Sequence, residues 1–196
     1  MTIVFNADTG VTTPGLTNSG SSTVSGTLQV GGITTNLYPL VSGTAVTLTT
    51  QTSVDFTSIP SWVKRITVMF NGVSTSGTSN VQIQIGAGSV TTSGYVGGAN
   101  VFTGAGVGTN TFTSGFVTEG TSGGITSSTV RHGLVTIDLV TGNTWVASGV
   151  LQHTGTSTGG STAGSLALGG TLDRVRITTV NGTDQLDAGS INVMWE

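Results

Sequence analysis

The residues that could carry nucleophilic chemistry are few and widely spaced. The chain has 196 residues, with two His and no Cys. The pattern G-x-S-x-G occurs at residues 120–124 and at residues 155–159, and it marks a catalytic serine only where a strained turn joins a strand to a helix. No helical pattern follows either match, and chance matches are expected in a chain so rich in Gly and Ser. We therefore expect no catalytic serine.

A pair of carboxylates is the remaining option for an enzyme, because glycosidases use two carboxyl groups about 5–10 Å apart. Asp184 and Asp187 lie in the predicted turn "NGTDQLDAG". Asn, Asp and Gly favour turns, where their side chains bind the local backbone. We interpret both as turn residues, and a calcium loop or a catalytic pair are the alternatives.

Two other patterns offer no cofactor site. His132 and His153 lack metal-ligand spacing and are interpreted as ordinary polar histidines. The run "GAGVG" at residues 104–108 is not G-x-G-x-x-G and opens no helix, so it does not indicate a dinucleotide site. We expect a protein that is not an enzyme, with no catalytic residue, no metal and no cofactor.

The composition predicts a folded β-protein. Charged residues make up only 7% of the chain and hydrophobic residues 35%, whereas disordered chains are usually highly charged. Thr and Val suit pleated strands. With five basic residues and a net charge of −3 the chain is not expected to bind nucleic acid. No apolar run is long enough to span a membrane, and the start "MTIVFNADTG" lacks the features of a signal peptide.

Period-2 patterns predict the strands that must position any site. In residues 58–86, one strand has an apolar face and the return strand has another, with Gln82 and Gln84 pointing the opposite way. We predict a hairpin joined by a long polar turn that opens at Asn71-Gly72. The apolar faces consist of Ile66, Val68 and Phe70, and of Val81, Ile83 and Ile85.

Two more hairpins are predicted. The first turns at residues 141–143 and the second returns through a strand that ends at Trp195, whose apolar position indicates a well-packed strand. Their apolar faces are Val135, Ile137 and Leu139 against Val146 and Val150, and Val175 and Ile177 against Ile191, Val193 and Trp195. Residues 94–129 are rich in Gly and are predicted to be long loops with one or two short strands. The fold class is all-β, with an antiparallel jelly-roll-like β-sandwich of about eight to ten strands over residues 44–196.

Residues 1–43 differ from the rest, because their apolar residues form one thin stripe separated by Gly-rich turns. That stripe is too sparse to offset roughly 1–2 kcal/mol of backbone entropy per residue. We predict an extended N-terminal stem or attachment arm that becomes ordered by interleaving with identical copies, and a disordered linker is the alternative. The stripe consists of Leu16, Val24, Leu28, Val30 and Ile33.

Two segments resemble a known family. "IPSWVKRITVMFNGVSTSGTSNVQIQIG" and the ending "GGTLDRVRITTVNGTDQLDAGSINVMWE" are similar to the C-terminal β-domain of many virion structural proteins of tailed bacteriophages, of the tail fibre or head fibre type. The resemblance implies a virion protein made in the host cytoplasm. It further implies a homotrimeric appendage that attaches to other virion proteins through residues 1–43 and displays the domain outward.

The function expected from the resemblance is that of a short oligomeric fibre or spike that recognises the host surface. An exposed ring in a loop could stack on a host-surface glycan, and Tyr95 and Phe102 are the candidate ligand-binding residues. Both could instead fill the core between loops. A capsid decoration or cement protein is the alternative function, and a polysaccharide-degrading tailspike is a further one.

Overall fold

A computed structural model describes residues 28–30, 33–35, 39–121, 125–154 and 157–196, with the backbone alone described in the first two ranges. The chain divides into two units, residues 1–37 and residues 38–196. In the first unit, β1 (Leu28–Val30) pairs antiparallel with β2 (Ile33–Thr35). The rest of the predicted stem up to residue 38 lies outside the described residues, so its interleaving with other copies stays a prediction.

The described residues of the second unit form strands and connecting turns, without a helix. The strands before residue 100 are β3 (Val41–Ser42), β4 (Val46–Thr47), β5 (Ser53–Thr57), β6 (Arg65–Thr75), β7 (Val81–Ala87), β8 (Ser89–Val90) and β9 (Val96–Thr103). The later ones are β10 (Gly106–Thr111), β11 (Phe116–Val117), β12 (Arg131–Thr141), β13 (Thr144–His153), β14 (Gly159–Ala167), β15 (Arg174–Thr179) and β16 (Leu186–Trp195). Nothing in the described chain is a helix of the length and apolar character that crossing a membrane requires.

The strands of the second unit form two antiparallel sheets. The larger, nine-stranded sheet has the order β10-β9-β14-β13-β12-β6-β16-β3, with β4 also paired to β16. The smaller, five-stranded sheet has the order β11-β7-β15-β5, with β8 paired to β7. The prediction of an all-β, antiparallel fold is confirmed. β16 lies inside the larger sheet between β6 and β3, as its well-packed Trp195 indicated.

One hydrophobic core joins the inner faces of the two sheets, as in a β-sandwich. Alternate residues of β6 point into it from the larger sheet and alternate residues of β7 and β15 from the smaller one, as the period-2 pattern predicts. Removing these side chains from water is the main favourable contribution to folding, about 25 cal/mol for each Å² of apolar surface. The central members are Ile66, Val68, Phe70, Val81, Ile83, Ile85, Val175 and Ile177.

Two of the three predicted hairpins are wrong. β6 and β7 belong to different sheets, and so do β15 and β16, so the chain crosses the sandwich at residues 76–80 and 180–185. Asn71-Gly72 does not form the predicted turn, because Gly72 lies in a β-bulge with a φ of 68° and β6 continues beyond it. The hairpin between β12 and β13 is confirmed, with Thr141 paired to Thr144 around Gly142.

Two further details of the sequence interpretation are wrong. In β13 the valines Val146 and Val150 point away from the core, whereas Trp145 and Leu151 are buried. A register shift between Leu139 and Thr141 changes the pairing beside the turn. Leu139 therefore pairs with Trp145, whose ring faces the core. Residues 94–129 also contain a true hairpin, β9 with β10, that the many glycines concealed.

The segment after β11 folds into the sandwich and packs on the inner face of the larger sheet. Gly160 of β14 makes this possible, because a Cβ there would overlap the side chain of Glu119 and lie 3.0 Å from its Cα. Gly120 has the same role against β9 and β10, since its Cβ would lie 2.9 Å from the Val101 nitrogen. Both glycines are therefore required by close backbone approach.

Gly160→Ala is expected to destabilise the protein by about 1–3 kcal/mol, because the added methyl group overpacks the contact with Glu119. Gly169→Ala is the matched control, since a Cβ at Gly169 has no atom within 4 Å. Chemical denaturation of both variants measures the effect. Equal stability of the two variants would show that the segment does not pack on β14.

Candidate functional site

A polar groove of about 370 Å³ lies on the outer face of the five-stranded sheet. Two cross-strand rows form its floor. In one row Thr178 of β15 is paired with Gln82 and Ser53, and in the other Arg176 is paired with Gln84 and Asp55. The groove is lined by Thr52, Ser53, Gln82, Gln84, Thr92, Ser114, Arg176, Thr178, Thr179, Val180, Asn181 and Gly182.

Strand alternation places the glutamines in this floor, because their neighbours in β7 point into the core. Ser114 covers both glutamines, which are only 3% (Gln82) and 5% (Gln84) exposed. The Ser114 hydroxyl donates to Gln82 Oε1 at 3.1 Å, and Gln84 Nε2 donates to the Ser114 carbonyl at 2.8 Å. Gln82 Nε2 also donates to the Thr179 carbonyl at 3.3 Å. The two amides are thus held in fixed orientations.

Arg176 supplies the cation of the groove and is already paired. Its Nε and Nη2 atoms donate to the two carboxylate oxygens of Asp55, each at 2.7 Å. This hydrogen-bonded pair raises the pKa of Arg176 above its ordinary value. The bidentate geometry fixes the guanidinium plane on the groove floor. The groove therefore offers hydrogen-bonding groups with balanced charge.

A turn after β15 forms one wall of the groove. Asn181 Oδ1 accepts hydrogen bonds from the Thr183 and Asp184 backbone nitrogens, both at 3.0 Å, and Asn181 Nδ2 donates to Asp184 Oδ1 at 2.8 Å. The bond from Asn181, together with one from the Ser79 nitrogen, holds the pKa of Asp184 below its usual range. The interpretation of Asp184 as a turn residue is confirmed.

Asp187 has a different place from the one predicted. It lies in β16 rather than in the turn, and it accepts a hydrogen bond from the Ser74 hydroxyl. Asp184 is instead bound by Asn181 and Ser79. The two carboxylates thus have separate partners, and neither lines the groove.

A second group of ionisable residues is buried at one end of the sandwich. Arg131 Nε donates to Glu119 Oε1 at 2.6 Å, and His153 Nε2 lies 2.8 Å from Glu119 Oε2. His153 Nδ1 lies 2.9 Å from the Thr158 hydroxyl, and Arg131 Nη1 donates to the Thr129 carbonyl at 3.1 Å. The interpretation of His153 as an ordinary polar residue is therefore wrong, since its ring is buried in an ionic cluster.

The charges of this cluster stabilise one another. Burial acts to raise the pKa of Glu119, but the hydrogen bond to His153 and the positive charge of Arg131 outweigh it and hold the pKa below its ordinary value. The cluster Glu119, Arg131 and His153 is enclosed, with Glu119 and Arg131 fully buried. Its position anchors the segment that follows β11. We interpret it as a structural anchor, since a ligand has no access to it.

The two predicted ligand-binding residues lie outside the groove. Tyr95 is only 1% exposed, and its hydroxyl donates to the Thr91 carbonyl at 3.0 Å and accepts from the Ile85 nitrogen at 2.8 Å. Its ring packs edge-on against Phe116. Tyr95 therefore lacks the exposed ring expected of it, because the ring fills the core. Phe102 is 45% exposed on β9, and its role as a ligand contact stays a prediction.

The remaining sequence patterns contribute nothing to the groove. His132 lies on β12, where its Nδ1 accepts a hydrogen bond from the Gly72 nitrogen at 3.2 Å. Both G-x-S-x-G matches fall partly outside the described residues, and β14 rather than a helix begins at the end of the second match. The run at residues 104–108 forms the turn of the β9–β10 hairpin and the first three residues of β10.

Comparison with known proteins identifies no relative. No protein-family model, no curated protein and no solved structure matches this chain significantly.

Glu119→Gln is expected to lower the free energy of unfolding at pH 7 by about 3–5 kcal/mol, because it leaves Arg131 buried without its charge partner. It is also expected to flatten the acid dependence. The folded-state pKa of Glu119 is below the unfolded value of about 4.3, so its contribution is present above that pH and is lost as the pH falls through the folded-state pKa. Denaturant titrations between pH 7 and pH 2 measure both effects.

Asp184→Asn is the control for this prediction, since it removes a partly exposed carboxylate whose pKa is also lowered. Its effect at pH 7 is expected to be much smaller than that of Glu119→Gln, because solvent screens exposed charges. A Glu119→Gln protein as stable as the unmodified chain at pH 7 would contradict the anchoring role.

Proposed function

We propose that this chain is a bacteriophage virion structural protein, a short trimeric fibre or spike that attaches through residues 1–43 and recognises the host surface with its β-sandwich. We propose further that the groove on the five-stranded sheet is the recognition site and that its ligand is a neutral saccharide. The observation that carries this proposal is the groove lining, which combines oriented amides and hydroxyls with one neutralised arginine.

The chemistry of the groove supports a saccharide over other ligand classes. A sugar presents hydroxyl groups that both donate and accept, and the groove offers carboxamide, hydroxyl and guanidinium groups that can match them. Its balanced charge disfavours anionic ligands such as phosphates. Its polar lining disfavours apolar ligands, which bind in pockets lined by hydrophobic side chains. The fixed guanidinium plane of Arg176 reduces the entropy lost on binding.

We also propose that the sandwich is a jelly roll with two added pairs of strands. Eight strands support this: one sheet has the spatial order β4, β16, β6, β12 and the other has the order β5, β15, β7, β11. Followed along the chain from β4 to β7, these strands alternate between the two sheets. The pairs β9 with β10 and β13 with β14 then extend the larger sheet beyond β12. Jelly rolls occur in viral capsid and lectin domains, although a fold alone does not assign a function.

Arg176→Gln in the full chain is expected to weaken binding to a host glycan or to host cells about 10–100-fold, because hydrogen bonds to a charged group contribute about 1.5–3 kcal/mol. A glycan array identifies the saccharide, and titration with that saccharide and with host cells measures the affinity. The unmodified chain is expected to bind in both assays.

Arg174→Gln is the matched control. Arg174 lies on the same face of β15 and is paired with a neighbouring Asp, but it does not line the groove. Its affinity is expected to equal that of the unmodified chain. Failure of the unmodified chain to bind any glycan or any host cell would overturn the proposal, as would equal binding by both variants.

A further inference from the structure

The outer face of the nine-stranded sheet is broad, partly apolar and uncovered by any described residue. Its most exposed hydrophobic residues near the centre are Leu134, 48% exposed, and Val150, 62% exposed. These two face each other across β12 and β13, and Met69 of β6 is the next residue in the same row. Phe102 and Val107 form a second exposed pair across β9 and β10.

The centre of this face carries no charge among the described residues. The row through Leu134 and Val150 continues with Ser161, Asn100 and Thr109 in one direction. In the other direction it continues with Met69 and Asn192.

The charges along one end of the face are already paired within the chain. Arg65 donates to Asp138 and to Glu196, the latter at 2.7 Å. Covering a surface that carries unpaired charges costs free energy, because those charges lose their contact with water. Here the uncharged centre and the neutralised end allow a neighbouring copy to cover the face without leaving a charge buried and unpaired.

The face is large enough for a stable interface. Seven adjacent strands, from β10 to β16 in the sheet order, span roughly 34 Å at about 4.8 Å each. Along each strand, four successive outward-facing residues cover a length of roughly 27 Å. The face therefore has a flat area of roughly 900 Å². A standard protein interface buries about 800 Å² on each partner.

We propose that a neighbouring copy of this chain covers the outer face of the nine-stranded sheet and that Leu134 and Val150 lie at the centre of the contact. The inference rests on the proposed oligomeric function and assigns its self-association surface. The stem would hold neighbouring copies at high local concentration. The groove lies on the other sheet and remains open to a ligand.

Cysteine labelling of the full chain tests this proposal, because the chain has no cysteine of its own. Val150→Cys and the matched control Val180→Cys each introduce one thiol at an exposed valine, and Val180 belongs to the opposite side of the sandwich. In the assembled protein a bulky maleimide is expected to label residue 150 at least tenfold more slowly than residue 180. Adding Leu134→Lys to Val150→Cys is expected to restore fast labelling.

Equal labelling of the two cysteines would overturn the proposal, even if the stem still held the copies together. A monomeric full chain at tens of micromolar, measured by light scattering, would overturn it as well. The protein carrying Leu134→Lys is expected to remain folded, because the side chain of residue 134 points outward, and circular dichroism checks this. Saccharide binding by Arg176→Gln and Arg174→Gln reports on the groove alone, so the two proposals can fail independently.

Discussion

The packing of two inner sheet faces against one shared core is the interaction on which the rest of this structure depends. Most of the longer strands contribute alternate residues to that core, and their remaining residues must then point outward. The same alternation that buries Ile83 and Ile85 places Gln82 and Gln84 in the groove floor. It also places Leu134 and Val150 on the uncovered face of the larger sheet. Both candidate surfaces are thus the outward side of the residues that form the core.

Period-2 alternation shows which residues of a strand face the core, but it does not show which sheet the strand joins. For this reason the apolar faces of β6 and β7 could be predicted from the sequence, whereas their pairing could not. Asn71-Gly72 was misleading, because the same dipeptide that favours a hairpin turn also fits a bulge with a positive φ. The sequence pattern predicts the wrong face for Val146, since a register shift beside the turn changes which residues of β13 face the core.

The candidate site was only partly predictable. The outward direction of Gln82 and Gln84 follows from the sequence, but their cover by Ser114 depends on contacts between segments about 30 residues apart. Glu119, Arg131 and His153 come together from three separate parts of the chain. A clue existed in the rarity of charged residues, which make up 7% of this chain. A lone Glu within a run of small and apolar residues, such as Glu119, is a candidate for a buried ion pair.

The position of β16 inside the larger sheet governs the order in which the sandwich can assemble. β16 separates β6 from β3 and β4, although more than a hundred residues lie between these strands and β16. During synthesis, β6 therefore waits with one open edge until all intervening strands have been made. Such long-range pairing slows folding and exposes unpaired backbone to other chains. The nascent sandwich would consequently be most vulnerable to aggregation just before its final strand is inserted.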